Sequence, residues 1–387
     1  MEKITDAKIS SGYTYVDNAQ GLARLTKMLH GTARAGMDTE ADSLHHYFEK
    51  VCLIQLSFLG ENYIIDSLAG FSLSEFFEVL SQKELIFQGA DYDLRILQKS
   101  FGFRPKAPIF DTMLAAQLLG YEKIGLAALV ERFFGILMSK TGQKTDWSKR
   151  PLPARLLTYA SDDTKYLETI ADVLTENLQK LNRIAWHREC CERVVNASEF
   201  PGRREEQEAW RVRGSSDLPP RELVFVRELW KWRDAAAREK DRPAFHILRN
   251  EDLIALAGWQ ARHPNSPLHQ GPAFLKRFTG EHRAGLERAI RSAKHTPPAE
   301  WPLPKKRMAR ADERPDQKQL ETLLAACKRL AQTLRVEPSV LASRSALTAV
   351  VRHRPESIEQ IMDVSGLMHW QAALMAPEIK GLFASPQ

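Results

Sequence analysis

The sequence predicts an α/β domain with a mixed sheet, followed by two smaller all-α domains. Across the first half of the 387 residues, short apolar runs typical of strands alternate with helical periodicity. The second half carries apolar residues mainly at helical spacing. Two stretches rich in proline and charge, 199–217 and 296–315, interrupt these patterns and predict linkers.

The first domain is expected over residues 1–198. Its strands are predicted at 35–40, 51–58, 63–66 and 84–88, and the turn at Gly60 makes the second and third a hairpin. Helices are predicted over 73–80, through Leu94 and Leu97, after Asp111 as the N-cap, and over 125–134. One long helix is expected to start near Pro151 and run past residue 178. A meander followed by strand–helix alternation indicates the α/β class.

The two helical domains are expected over 218–295 and 316–387. The first has Leu223, Val226 and Leu229 at helical spacing, and the second has Leu320, Leu323 and Cys327. Each is long enough for a bundle of four or five helices. The two segments could be a diverged repeat, but their residue patterns alone do not establish one.

Composition excludes several classes of protein. Hydrophobic residues make up 43% and charged residues 27%, which excludes wholesale disorder. The four cysteines form no Cys-x-x-Cys motif, so a disulfide scaffold and a zinc ribbon are excluded and reduced thiols are expected. No apolar run reaches the roughly 18 residues of a membrane helix, and the first residues carry charges where a signal peptide is apolar. The expected location is the cytoplasm, with no membrane partner.

Charge differs between the two halves of the chain. Residues 1–200 contain 23 basic and 26 acidic residues, a net charge of −3, whereas the whole chain carries +6 and the remainder therefore +9. An acidic half joined to a basic half suits a catalyst that uses carboxylates and binds a polyanion. The alternative is two domains that merely differ in their solvated faces.

Two carboxylates on a predicted strand are the first candidates for chemistry. Asp38 and Glu40 are two residues apart, so their side chains project from the same face of the sheet. Like charges at this distance repel unless a cation neutralises them, and hard oxygen ligands suit Mg²⁺ or Mn²⁺. The alternative is a pair of acids on a solvent-facing strand.

Two later segments supply further acids. Asp91 and Asp93 lie where a strand gives way to a helix, a position that the helix dipole also favours without any catalytic role. Tyr159 and Asp163 are four residues apart, so on one helix they would be neighbours. A tyrosine hydroxyl beside a metal-binding carboxylate can orient a water, although a core tyrosine near a surface acid is common.

The ordered set resembles the DEDD-type 3′–5′ exonucleases of the tyrosine subtype over residues 12–180. The motifs that support this resemblance are Asp-x-Glu on an early strand, an aspartate after a later strand, and a Tyr-x-x-x-Asp motif that ends at Asp163. Asp93 rather than Asp91 matches the second motif, counted back from the Leu-x-x-Leu that follows. Thr158 stands where the histidine subtype carries histidine. Residues 229–253 resemble an HRDC domain and 316–387 a diverged second copy, an architecture similar to the ribonuclease D family.

This resemblance implies a ribonuclease H-like sheet and hydrolysis with two divalent cations, Mg²⁺ or Mn²⁺. Asp38 would bridge the two ions, Glu40 and Asp163 would hold the ion that activates water, and Asp93 would support the other. Tyr159 would orient the attacking water. The loop around Trp147 is basic, and its alternative interpretation is a solvated loop in which Trp147 packs as an anchor. Substrate contacts are expected from this loop and from a glutamine where relatives often have histidine. These residues are Lys144, Lys149, Arg150 and Gln88.

The resemblance implies a 3′–5′ exoribonuclease that releases nucleoside 5′-monophosphates and trims RNA, with precursor tRNA 3′ ends as the expected substrate and no obligate protein partner. One alternative is a DNA exonuclease in repair, because the same cation site can cut either sugar. The other is a nucleic-acid-binding scaffold with a retired site. The complete set of Asp38, Glu40, Asp93, Tyr159 and Asp163 argues against the scaffold.

Overall fold

The computed structural model describes residues 12–139, 142, 144–199, 208–304 and 315–384. The chain forms two compact units. Unit 1 comprises Met1–Ala41, Val51–Glu199 and Arg310–Gln387, and unit 2 comprises Asp42–Lys50 and Phe200–Ala309. Among the described helices, none combines the length and the apolar character needed to cross a membrane.

A six-stranded mixed sheet forms the centre of unit 1. Its strands are β1 (Thr14–Val16), β2 (Arg34–Ala41), β3 (Val51–Phe58), β4 (Glu61–Asp66), β5 (Glu84–Phe87) and β6 (Ile109–Asp111). They lie in the order β1-β4-β3-β2-β5-β6. The β2–β3 and β3–β4 pairs are antiparallel, and the three other pairs are parallel. The predicted α/β class with a mixed sheet is confirmed.

Strand β3 lies inside the sheet, between β4 and β2, and all eight of its residues are buried. Ile54, Leu56 and Phe58 face one apolar cluster, and Leu53 faces another that contains Trp147. A strand covered on both faces explains the continuous apolar run in the sequence. Antiparallel pairing with β2 places Asp38 opposite Gln55 and Glu40 opposite Leu53.

Eight helices pack on this sheet within the segment that ends at residue 199. They are α1 (Ala19–His30), α2 (Ser74–Ser81), α3 (Asp91–Phe101), α4 (Thr112–Leu118), α5 (Leu126–Phe134), α6 (Ala154–Asp162), α7 (Leu167–Lys180) and α8 (Ile184–Glu199).

The prediction of one long helix from Pro151 past residue 178 is wrong, because a turn separates α6 from α7. This turn packs directly on β2. A Cβ added to Gly36 would lie 3.1 Å from Leu167 Cβ and 3.2 Å from the Thr164 carbonyl oxygen, so the approach depends on glycine. The Thr164 hydroxyl also lies 2.6 Å from the Ser57 hydroxyl of β3. The break therefore brings the end of α6, with Asp163, down to the sheet.

The Asp111 carboxylate joins two helix starts. It accepts the backbone N–H groups of Met113 and Leu114, as the predicted N-cap of α4. It also accepts those of Gly89 and Ala90, which form the turn between β5 and α3. Asp111 is only 1% exposed, so these four donors are satisfied inside the protein.

A second buried carboxylate, Asp66 at the end of β4, ties the sheet to the segment before α6. It accepts the Tyr15 hydroxyl at 2.6 Å and two guanidinium N–H groups of Arg150 at 2.6 Å each. Burial alone raises the pKa of Asp66, but the hydrogen bonds from Arg150 and Tyr15 outweigh it and hold the pKa below its usual value.

The helices after residue 315 share the core of unit 1. They are α13 (Gln317–Leu334), α14 (Pro338–Leu341), α15 (Arg344–His353), α16 (Ile358–Ser365) and α17 (His369–Ala384). Arg183, just before α8, and two residues of α8 contact these helices. The Arg183 guanidinium donates to the Leu118 and Leu334 carbonyl oxygens, Trp186 stacks on Trp370 with ring centroids 4.7 Å apart, and the Glu189 carboxylate accepts the first backbone N–H groups of α17.

Unit 2 is helical, with α9 (Pro220–Glu239), α10 (Ala244–Ile247), α11 (Asn250–Arg262) and α12 (Gly280–His295) around its own apolar core. Residues Asp42–Lys50, which follow β2 in the chain, also belong to it. The Asp241 carboxylate accepts the backbone N–H groups of Tyr47 and Phe48, and the Tyr47 hydroxyl donates to Asp234 at 2.8 Å.

We predict that Asp111→Ala lowers the free energy of unfolding by about 3–5 kcal/mol, because four buried N–H groups lose their acceptor at once. Asn18→Ala is the matched control, since Asn18 also caps a helix but accepts a single N–H group, from Gly21; it should cost about 1 kcal/mol. Urea unfolding monitored by circular dichroism measures both. Equal losses in the two variants would contradict the role assigned to Asp111.

We predict that the stabilising effect of Asp66 disappears in acid. Because its pKa in the folded protein is lowered, its contribution is complete above the unfolded pKa of about 3.9 and is lost as pH falls through the folded value. The difference in melting temperature between wild type and Asp66→Asn should therefore be largest near pH 7 and shrink below about pH 4. A difference that stays constant down to pH 3 would disprove the assignment.

Candidate active site

Three carboxylates converge where the α6–α7 turn meets strand β2. Oxygen atoms of Asp38, Glu40 and Asp163 all lie within 4.8 Å of one another, and each side chain is half-buried. Asp38 and Glu40 reach this place because alternate residues of a strand share a face. Asp163 reaches it because α6 ends at Asp162 and the turn lies against Gly36.

Asp93 approaches from the first turn of α3 and is 6% exposed. The Thr39 hydroxyl, on β2 between Asp38 and Glu40, donates to the Asp93 carboxylate at 2.5 Å. Asp91, by contrast, is exposed and pairs with Arg95 at 2.6 Å. The structure therefore places Asp93 beside the cluster and Asp91 at the surface.

Burial, together with acidic neighbours, disfavours the charged form of all four carboxylates. Burial and then repulsion from Asp163 and Asp93 raise the pKa of Glu40 to about 9. Burial raises the pKa of Asp163 to about 7 and that of Asp93 to about 6. Burial and the three acidic neighbours raise the pKa of Asp38 well above its usual range.

This donor set fits divalent cations. In the described part of the chain, no ion pair with lysine, arginine or histidine involves any of these four acids. Hard carboxylate oxygens are the preferred ligands of Mg²⁺ and Mn²⁺. Buried acids that repel one another without a cationic side chain need such an ion to remain ionised together.

Tyr159 lies on α6 one turn before Asp163 and is hydrogen-bonded to its carboxyl group. Burial, the charge of Asp163 and this hydrogen bond raise the pKa of the phenol, so the hydroxyl remains protonated and can donate. The ring stacks on Trp147, with centroids 6.2 Å apart, and lies against Gly142, where a Cβ would be 2.3 Å from the ring. Trp147 is 1% exposed, so it packs as an anchor for Tyr159.

The four predicted substrate-contacting residues divide into two groups. Lys149 is exposed, 3.5 Å from Asp146, and Lys144 is exposed as well. Arg150 is engaged with Asp66 and the Cys52 carbonyl oxygen. Gln88 donates to the Ile124 carbonyl oxygen and accepts the Thr112 hydroxyl, so its amide already has partners within the protein.

Sequence reasoning missed several residues that position this site. Gly36 allows the α6–α7 turn to approach the sheet, Thr39 holds Asp93, and Gly142 lies against Tyr159. Gln55 lies opposite Asp38. The available signals were a glycine inside β2 and a glutamine inside the largely apolar β3, because such positions mark close approach or a polar function.

Comparisons with known proteins agree with this geometry. A family model described as 3′-5′ exonuclease matches residues 13–179, and one described as HRDC domain matches residues 222–264. The crystal structure of Escherichia coli RNase D, titled an exoribonuclease involved in structured RNA processing, has a TM-score of 0.73. It is 22% identical and covers 97% of this chain and all of that chain, which supports a common fold.

Two relatives with similar sequences show the family as well as the fold. Ribonuclease D of Nitrobacter hamburgensis is 33% identical over 225 residues, 57% of this chain and 58% of that protein. Ribonuclease D of Xanthomonas oryzae pv. oryzae is 30% identical over 364 residues, 92% of this chain and 94% of that protein. Because this similarity spans nearly both whole chains, the chain belongs to the ribonuclease D family of 3′–5′ exoribonucleases.

Proposed function

We propose that this exoribonuclease uses two divalent cations, Mg²⁺ or Mn²⁺, to release nucleoside 5′-monophosphates from RNA 3′ ends. The observation that carries the proposal is the convergence of Asp38, Glu40 and Asp163 within 4.8 Å, with Asp93 beside them. We infer that the first three acids form one ligand set and that Asp93, which Thr39 holds, completes the second. When bound, such ions stabilise the attacking and leaving oxygens of phosphoryl transfer.

The protein's own groups then position the reactants. We infer that Tyr159, as a neutral phenol, donates its O–H to Asp163 and that its oxygen accepts a hydrogen bond from the attacking water, which orients that water. This role supports the tyrosine subtype. Lys144 and Lys149, exposed in the loop before α6, are our candidates for phosphate contacts. We assign Arg150 and Gln88 to the fold, because their polar groups bind other parts of the protein.

We propose precursor tRNA with an extended 3′ end as the natural substrate. Family membership and the +9 charge of residues 201–387 favour a structured RNA polyanion over DNA. The complete set of acids argues against the retired scaffold. The four cysteines are buried and form no disulfide bond in the described part of the chain, which supports the cytoplasm as the location.

We infer that the helices after residue 315 are a second, diverged HRDC domain. In unit 2, a 20-residue helix, α9, precedes the four-residue helix α10 and the 13-residue helix α11. The later segment repeats this order with 18, 4 and 10 residues in α13, α14 and α15. A non-glycine residue with positive φ follows the first helix in both, Asp241 and Arg335. The domain limits 1–198, 218–295 and 316–387 remain predictions.

We predict that Asp93→Ala lowers the rate of 3′ trimming by at least about 100-fold, because it removes an acid from the cation site. Asp91→Ala is the matched control, since this acid begins the same helix but is exposed and paired with Arg95; it should trim normally. The assay uses a 5′-labelled RNA with a tRNA body and a single-stranded 3′ tail, in Mg²⁺, Mn²⁺ or EDTA.

The expected wild-type result is a cation-dependent ladder that shortens from the 3′ end and is absent in EDTA. A DNA tail of the same sequence tests the alternative substrate. Trimming in EDTA would refute the cation-dependent mechanism, and preferred cleavage of the DNA tail would replace RNA as the proposed substrate. Equal rates for Asp93→Ala and wild type would remove Asp93 from the site.

We predict that Asp38→Asn is inactive and yet more stable than wild type in EDTA at pH 9, by about 1–3 kcal/mol. Removing one of four mutually repelling carboxylates relieves a like-charge interaction of this order. Thermal unfolding with EDTA and with Mn²⁺ provides the measurement, and Asp91→Asn, an exposed acid, should change neither value. A variant that is less stable than wild type in EDTA would contradict the repulsion.

A further inference from the structure

Gln55 is a fully buried glutamine in the middle of β3, with 0% exposure. Among the residues that the structure describes, neither its Oε1 nor its Nε2 atom has a hydrogen-bond partner. A buried carboxamide with no partner loses its hydration without compensation. Native proteins seldom keep such a group unless something outside the folded chain completes its hydrogen bonds.

The position of Gln55 identifies where those bonds would form. In the antiparallel β2–β3 pair, Gln55 lies directly opposite Asp38. Opposite residues point to the same face of a sheet, with Cβ atoms about 4.5–5.5 Å apart. Two residues along β3, the Ser57 hydroxyl contacts Thr164, the neighbour of Asp163. Gln55 therefore belongs to the face on which the carboxylate cluster is built.

We propose that Gln55 is a positioning residue of the cation site, acting through Asp38. This inference rests on the proposed use of divalent cations. With a cation held by the cluster, the Gln55 Nε2–H group donates to an Asp38 carboxylate oxygen and fixes the orientation of that ligand. Its Oε1 atom accepts from a hydration water of the cation. The amide is suited to this place because it supplies both a donor and an acceptor without adding a fifth negative charge.

A purely structural glutamine has different properties, and Gln260 of α11 provides the contrast. Gln260 is 1% exposed, and its Nε2 donates to the His263 and Pro264 carbonyl oxygens. Replacing Gln260 with methionine should lower the melting temperature, because two carbonyl groups lose their donor. Replacing Gln55 with methionine removes an amide that has no partner in the cation-free protein, so stability in EDTA should stay the same or increase.

The test compares wild type, Gln55→Met and Gln260→Met as full-length proteins without RNA. Electron paramagnetic resonance of free Mn²⁺ measures cation binding, and thermal unfolding in EDTA measures stability. We expect Gln55→Met to bind Mn²⁺ at least tenfold more weakly than wild type, with an unchanged or higher melting temperature in EDTA. Gln260→Met should bind Mn²⁺ as wild type does and melt earlier. Trimming by Gln55→Met should recover at raised Mn²⁺ concentration.

Each remaining outcome has a defined meaning. If wild type itself binds no Mn²⁺, the proposed cation-dependent function fails. If wild type binds Mn²⁺ and Gln55→Met binds it equally well, the role of Gln55 is overturned while the proposed function stands. A Gln55→Met protein that melts earlier than wild type in EDTA, or fails to fold, also overturns it, because the amide would then already be partnered in the absence of a cation. Gln55→Leu repeats the measurement with a branched apolar side chain.

Discussion

Mutual repulsion among Asp38, Glu40, Asp93 and Asp163 is the constraint around which unit 1 is organised. Their raised pKa values show that the protein holds acids where their charge is disfavoured. Such an arrangement persists only if the surrounding structure determines the position of each acid independently of the others. The pleat of β2 therefore determines the positions of Asp38 and Glu40. The start of α3 determines that of Asp93, and the α6–α7 turn determines that of Asp163.

The groups that fix these positions are themselves strongly constrained. Asp111 accepts two backbone N–H groups from the turn that precedes α3, the helix that carries Asp93. Gly36 lets the α6–α7 turn pack on β2, so Asp163 is located by backbone contact with the sheet. Tyr159 packs on both Trp147 and Gly142. Because each acid depends on a different buried contact, movement of one does not relieve the repulsion felt by the rest.

Local sequence rules predicted the parts of this site that depend on local geometry. The two-residue period of a strand paired Asp38 with Glu40, and the helix-start position of Asp111 followed from N-cap preferences. Rules of this kind could not locate the break between α6 and α7, because no proline or glycine marks it and its cause is tertiary contact with Gly36.

The sequence also did not predict hydrogen-bond partners that lie far apart in the chain. The basic residue Arg150 suggested a phosphate contact, but its guanidinium binds Asp66, 84 residues away in the chain. The same holds for Gln88 and the Ile124 carbonyl oxygen. Gln55 was overlooked for a different reason: the apolar run identified β3 as a strand so clearly that the buried glutamine within it was not considered separately.

The proline-rich stretch at 296–315 follows the helices of unit 2, which have their own apolar core, and precedes helices that belong to the core of unit 1. The helices after it share an apolar cluster with α4, α7 and α8, which lie on the sheet that carries the acids. Arg183 shows how complete this integration is, because the residue is 5% exposed and its guanidinium donates to the Leu118 and Leu334 carbonyl oxygens, from segments far apart in the chain. This buried cation would lose one of its two carbonyl acceptors, that of Leu334, if those helices were absent. The C-terminal helices therefore stabilise the same unit that keeps the repelling carboxylates together.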